Sequence, residues 1–141
     1  MNKNSFFITG TDTGVGKTLV SSILANKYNA HYYKPIQCGL NRSGHKDSDI
    51  VLNIFKDVSI IKETYCFKNP LSPNIAAKKE NVDIEISKFL KIDKIDYPVV
   101  IEGAGGLQVP INEKMLMSDL INHFNLPTIL VSRTQLGTIN H

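Results

Sequence analysis

Cysteine is scarce in this chain of 141 residues: Cys38 and Cys66 stand far apart, without the paired spacing of a metal knuckle. A disulfide framework is thereby excluded, and reduced thiols are the expected state. Long like-charge blocks are missing as well, because 16 Lys+Arg and 13 Asp+Glu are interspersed along the chain and leave a net charge of +3. That balance offers no footprint for nucleic acid. No apolar run approaches the roughly 20 residues a membrane helix needs. The opening Met1-Asn2-Lys3-Asn4-Ser5 lacks the apolar core and cleavage site of a secretory signal. A cytosolic protein without membrane contact is expected. His31, His45, His123 and His141 are scattered, with no pair at ligand spacing, so no histidine metal site is expected. Internal repeats and low-complexity tracts are absent too.

What is present is enough apolar material, 42% of the residues, for one cored domain over residues 1–141. Its organising stretch is Gly10-Thr11-Asp12-Thr13-Gly14-Val15-Gly16-Lys17-Thr18. A short β-favouring run, FFIT, precedes it, and Leu19, Val20, Ile23, Leu24 and Tyr28 follow at helical spacing. Strand, glycine-rich loop and helix start in that order make a phosphate cradle. The glycines let backbone N–H groups turn inward, the helix start adds partial positive charge and Lys17 a full one, while Thr18 can offer its hydroxyl to Mg²⁺. The usual spacing G-x-x-x-x-G-K-[ST] asks for glycine at position 11. Here Thr11 stands there, and Gly10 comes one residue early.

Beyond the first helix, residues 30–33 read as a strand ended by Lys34-Pro35, and residues 36–39 as a loop. A polar connection over residues 41–47 leads to a helix expected to start at Ser48 or Asp49. Residues 64–67 can form a short strand, and Pro70 and Pro73 set a firm break before residues 74–77. Residues 83–90 present Ile84, Ile86, Phe89 and Leu90 as a helix would. Pro98-Val99-Val100-Ile101 is an apolar run of the buried parallel type, ending in Glu102 and a glycine cluster. Ser118-Asp119 is expected to cap a further helix, and residues 127–132 to form a further buried strand. Alternation of strands and helices predicts an α/β fold: a doubly wound, mainly parallel sheet with helices on both faces and ligands at the carboxyl ends of the strands.

In that topology Lys17, Lys34 and Glu102 converge. Transfer of a terminal phosphoryl group needs positioning and charge neutralisation, which a loop lysine and a metal provide. Glu102, directly after an apolar strand, suits a nucleotide-binding or metal-binding acid. By residue type alone, Lys34 reads first as a solvated strand-end lysine and Asp49 first as a helix cap, with the site reading second for each.

Four pieces carry a family resemblance: GTDTGVGKT at residues 10–18, YKPIQCG at 33–39, EGAGGLQVPI at 102–111 and LGTINH at 136–141, with a weaker SPNIAA at 72–77. In this order and at these intervals the chain resembles the dethiobiotin synthetases, members of the P-loop NTPase superfamily. The resemblance implies an ATP- and Mg²⁺-dependent ligase of biotin biosynthesis. Such an enzyme converts 7,8-diaminopelargonic acid and CO₂ to dethiobiotin through a carbamate phosphorylated by ATP. It implies Lys17 and Lys34 as catalytic, and Thr11, Asp12, Thr13, Gly14, Val15, Gly16, Lys17, Thr18 and Glu102 along the ATP. It further implies Thr18, Asp49 and Glu102 around Mg²⁺, and Thr11, Lys34, Cys38, Gly137 and Asn140 toward the substrate, in a homodimer.

Departures from the family pattern are Cys38, where a serine or threonine is usual, and Asn74, where histidine is usual. The chain ends where a loop should hand over to a helix, so it reads as cut short, with the family's adenine-recognition segment beyond His141. Two rival readings are a nucleotide-driven switch or partitioning ATPase and a non-catalytic nucleotide-binding remnant. Against the first, Asp12 occupies the position of such proteins' second lysine.

Overall fold

A computed structural model describes residues 4–140, and Met1, Asn2, Lys3 and His141 lie outside the described residues. The chain opens with β1 (Phe6–Gly10) and α1 (Lys17–Lys27), followed by β2 (His31–Tyr33), β3 (Ile36–Cys38) and α2 (Asp47–Ile54). It continues through β4 (Ile60–Ile61), β5 (Tyr65–Phe67), α3 (Pro73–Lys79), β6 (Val99–Gly106), α4 (Met117–Phe124) and β7 (Thr128–Val131). Short 3₁₀ turns lie at Ile86–Lys88, Ile92–Lys94 and Thr138–Asn140. Among the described residues no helix is long and apolar enough to cross a membrane.

Five strands form a parallel sheet in the order β4-β2-β6-β1-β7. Strand alternation divides the core between its two faces. Phe7, Tyr33, Val99 and Ile101 point to one side, against Met117, Leu120 and Phe124 of α4. Their neighbours Ile8, Tyr32 and Val100 point to the other, against Ala25 of α1 and Val51 of α2. The expected doubly wound α/β fold is the one observed.

Several local expectations are corrected. Residues 36–39 are not a loop: β3 pairs in parallel with β5 as a separate two-stranded sheet. Pro35 explains the transfer, because it has no amide to continue β2, while its carbonyl accepts the amides of Thr64 and Tyr65 at the start of β5. Residues 83–90 form no α-helix beyond the 3₁₀ turn. Their backbone groups bond elsewhere: Glu85 N–H to Tyr65 Oη at 2.9 Å, Leu90 N–H to Tyr33 Oη at 3.4 Å, and Ile84 C=O from Asn112 Nδ2 at 3.0 Å. Helix α2 starts at Asp47, and α4 at Met117, each ahead of the residues expected to cap it. In both, the acid is the third helical residue and reaches back, Asp49 to Lys46 N–H at 2.9 Å and Asp119 to Leu116 N–H at 2.8 Å.

Candidate active site

The carboxyl ends of β1, β2 and β6 meet under α1. Residue Gly10 closes β1, and a Cβ there would come within 2.8 Å of Val15 Cγ2 and 3.2 Å of Lys17 Cδ. The early glycine therefore lets the loop fold back over its own strand, which accounts for the unusual spacing. Gly16 sits at φ 105° as the residue before α1, in the left-handed region that favours glycine. Lys17 follows, 7% exposed, and donates from Nζ to Asp12 O at 2.7 Å. Burial, with the nearby Lys34 charge, holds its pKa below the ordinary lysine value.

The register of β2 on β6 pairs Tyr32 with Val100 and Tyr33 with Ile101, so one step further Lys34 meets Glu102. Glu102 is fully buried, and its bonds define the site's floor. Oε1 accepts Thr18 Oγ1 at 2.9 Å and Lys34 Nζ at 3.0 Å, and Oε2 accepts Tyr32 Oη at 2.8 Å. Lys34 also pairs with Asp47 Oδ2 on the first residue of α2. Burial alone would lower the Lys34 pKa, but Glu102 and Asp47 outweigh it and hold the ammonium well above its ordinary value. Lys34 is a buried cation, and the solvated reading is excluded.

A cavity of about 860 Å³ opens over these groups. Thr13, Gly14, Gly16, Lys17, Thr18, Lys34, Cys38, Asp47 and Glu102 line it. The three residues expected to converge, Lys17, Lys34 and Glu102, do so. Cys38 reaches the cavity from β3, and burial pushes its thiol up to about 11, so at neutral pH it is a neutral, weak donor. Thr11 and Asp12 lie instead around a small adjoining recess with Arg133, Gln135 and Thr138. Gly137 and Asn140 line neither space, and Asn140 closes an exposed 3₁₀ turn.

Asp49 does not line the cavity either, since one of its carboxylate oxygens caps α2. The acid that α2 presents there is Asp47, which sequence reasoning missed. Tyr32 was missed as well, although its place two residues before Lys34 puts both on one face of β2. Arg133 is the third omission: its Nη2 lies 3.4 Å from Asp12 Oδ2 and 3.3 Å from Thr13 O, clasping the loop from the end of β7.

The donors fit Mg²⁺. Thr18 Oγ1 and Glu102 Oε1 are 2.9 Å apart, close to the roughly 3 Å between adjacent ligands of an octahedral ion at about 2.1 Å. Among the described residues no three His, Cys, Asp or Glu side chains cluster as a metal cage.

A glycine-rich loop after β1, running into a helix that opens Lys-Thr with an acid on the neighbouring central strand β6, defines a P-loop nucleotide-binding domain. A family model described as an AAA domain matches residues 4–141, and the chain belongs to that family. Curated relatives narrow the likeness. The chain is 41% identical over its whole length to the ATP-dependent dethiobiotin synthetase BioD of Brucella anthropi, covering 66% of that protein. It is 49% identical, over 96% of the chain and 64% of the relative, to the enzyme of the same name from Lawsonia intracellularis. It is also 45% identical, over 96% of the chain and 29% of the relative, to the biotin biosynthesis bifunctional protein BioCD of Bordetella avium. The chain thus spans slightly under two thirds of the length of the BioD relatives, whose name agrees with the resemblance carried by the four motifs.

Proposed function

We propose that this chain serves the ATP- and Mg²⁺-dependent closure of 7,8-diaminopelargonic acid and CO₂ to dethiobiotin, with release of ADP and phosphate. The observation that carries the reading is the buried Lys34 beside the phosphate loop, with its ammonium 3.0 Å from Glu102. A loop that only binds or hydrolyses a nucleotide needs Lys17 and Thr18. A second buried cation, facing the same cavity, suits a second anion.

The proposed reaction supplies one. An amine of the substrate takes up CO₂ and loses a proton, giving a carbamate. The carbamate oxygen attacks the γ-phosphorus and ADP leaves. The second amine then attacks the carbamate carbon, and phosphate leaves as the cyclic urea closes. Negative charge is carried or moved at each step, so positioned cations lower each barrier. Lys34 holds the carbamate, Lys17 leaves Asp12 O to follow the β- and γ-phosphates, and loop amides from Gly14 to Thr18 line the triphosphate, with Thr11, Asp12 and Thr13 beside it. Bound Mg²⁺ would neutralise phosphate charge. Thr18 and Glu102 are the protein groups that fit it, with Asp49 as a second acid already committed through one oxygen to the Lys46 amide. Cys38 faces the substrate as a neutral thiol, and Gly137 and Asn140 serve the substrate carboxylate across a homodimer in the cytoplasm.

The test is ADP release with and without diaminopelargonic acid plus bicarbonate, with dethiobiotin detected by mass spectrometry. Release that needs both additions and yields dethiobiotin is expected. Release indifferent to both would sink the proposal in favour of a nucleotide-driven switch.

A further inference from the structure

Lys34 is 5% exposed, and its ammonium is shared by carboxylates on two different elements, Glu102 on β6 and Asp47 on α2. The two are not equivalent. Glu102 Oε1 also holds the Thr18 hydroxyl, and this is the oxygen pair that fits Mg²⁺, so lysine and metal draw on one atom. Asp47 is different, because its Oδ2 pairs with Lys34 away from the Thr18–Glu102 oxygen pair. Its position is set without the phosphate loop: its N–H donates to Gln37 Oε1 at 3.3 Å. The flanking Ser48 and Lys46 both bond Glu63, at 2.7 and 3.2 Å.

We propose that Asp47 is the seat that keeps the Lys34 ammonium when a divalent cation displaces it from Glu102, so that Asp47 holds the lysine and metal positions apart. The inference rests on the proposed Mg²⁺ site at Thr18 and Glu102. Two cations cannot share one buried oxygen without strong repulsion, and an ammonium left buried without a counter-charge is costly. With Asp47 in place, Lys34 stays paired after it leaves Glu102. Without Asp47, Lys34 must remain on Glu102 and compete with the metal. Asp47 is in this sense a positioning residue, acting through Lys34.

Binding of Mn²⁺, a spectroscopic stand-in for Mg²⁺, to the ADP-saturated chain can be followed by electron paramagnetic resonance. Asp47→Asn is expected to weaken it about tenfold and Asp47→Glu to restore it. Lys34→Met is expected to tighten it, and in that background Asp47→Asn should change nothing further. Equal weakening in both backgrounds would make Asp47 a metal ligand and overturn the proposal. Absence of weakening in the parent chain would make Asp47 a bystander, with the same result. Lys34→Met needs no change at Asp47 and is decisive by itself, since unchanged or weaker Mn²⁺ binding there also overturns the proposal. No arm contains the diamine or CO₂, so this outcome is separate from that of the synthetase reading, which is judged by product formation.

Discussion

Glu102 accepts from Thr18 on α1 and from both Tyr32 and Lys34 at the end of β2, so one carboxylate ties the phosphate loop to the neighbouring strand. Tyr32→Phe removes a single hydroxyl and leaves Oε2 without that partner in a buried site. A loss of about 1–3 kcal/mol in denaturant unfolding is expected, the scale of an unsatisfied buried acceptor. An unchanged midpoint would reduce the hydroxyl to packing. Lys34→Ala should retain ATP binding and lose substrate-dependent turnover by about two orders of magnitude or more, the scale of removing a preorganised charge partner. Parallel assays of nucleotide affinity and turnover check it, and equal loss in both would make Lys34 a general nucleotide contact. Lys17, Lys34 and Glu102 could be placed together from sequence because strand ends converge in a parallel sheet. Tyr32 could not, since a tyrosine within a buried strand reads as core until register puts its hydroxyl against a carboxylate. That α2 turns Asp47 to the cavity was equally hidden, because it depends on where the helix begins.

At the level of elements, α2 and α4 show why that beginning was misplaced. A Ser-Asp pair before an apolar run resembles a cap, yet in both helices the acid is the third helical residue and reaches back to an amide outside the helix. The apolar strand before Glu102 and the loop–helix junction at α1 were legible, because β-branched runs and glycine spacing act locally. Strand β3 and the residues around Ile84 were not, because distant partners decide them. Strand β7, expected to be buried, is instead an edge strand with Leu130 52% exposed. Helix α2 is further fixed by Glu63, which accepts from Ser48 Oγ and Lys46 Nζ. Burial would raise the Glu63 pKa, but these bonds outweigh it and hold the carboxyl below its ordinary range. A depressed folded-state pKa contributes stability present above the unfolded value of 4.5 and lost as pH falls through the folded one. Unfolding free energy measured from pH 7 down to pH 3 should therefore fall less steeply in Glu63→Gln than in the parent chain. Identical slopes would remove Glu63 from the forces that place α2.

Over the whole molecule, the sheet separates two cores, one beneath α1 and α2 and one beneath α4, and the candidate site lies where the central strands end. The phosphate loop touches both neighbours of β1: Thr18 reaches β6 through Glu102, while Thr11 N–H bonds Val131 O of β7 at 3.0 Å. A nucleotide held by that loop is thus held by three adjacent strands, and its binding free energy opposes unfolding of the whole sheet. At a hundred times its dissociation constant, a ligand specific for the folded state contributes about 2.7 kcal/mol, which raises the melting temperature of a domain this size by roughly 10 °C. Scanning calorimetry with MgADP should show a rise of that order in the parent chain and almost none in Lys17→Ala, provided both melt alike without ligand. A full rise in Lys17→Ala would put the nucleotide somewhere other than the loop at Gly10 to Thr18, and the reading of Lys34, Asp47 and Glu102 as the far side of the same site would fall with it.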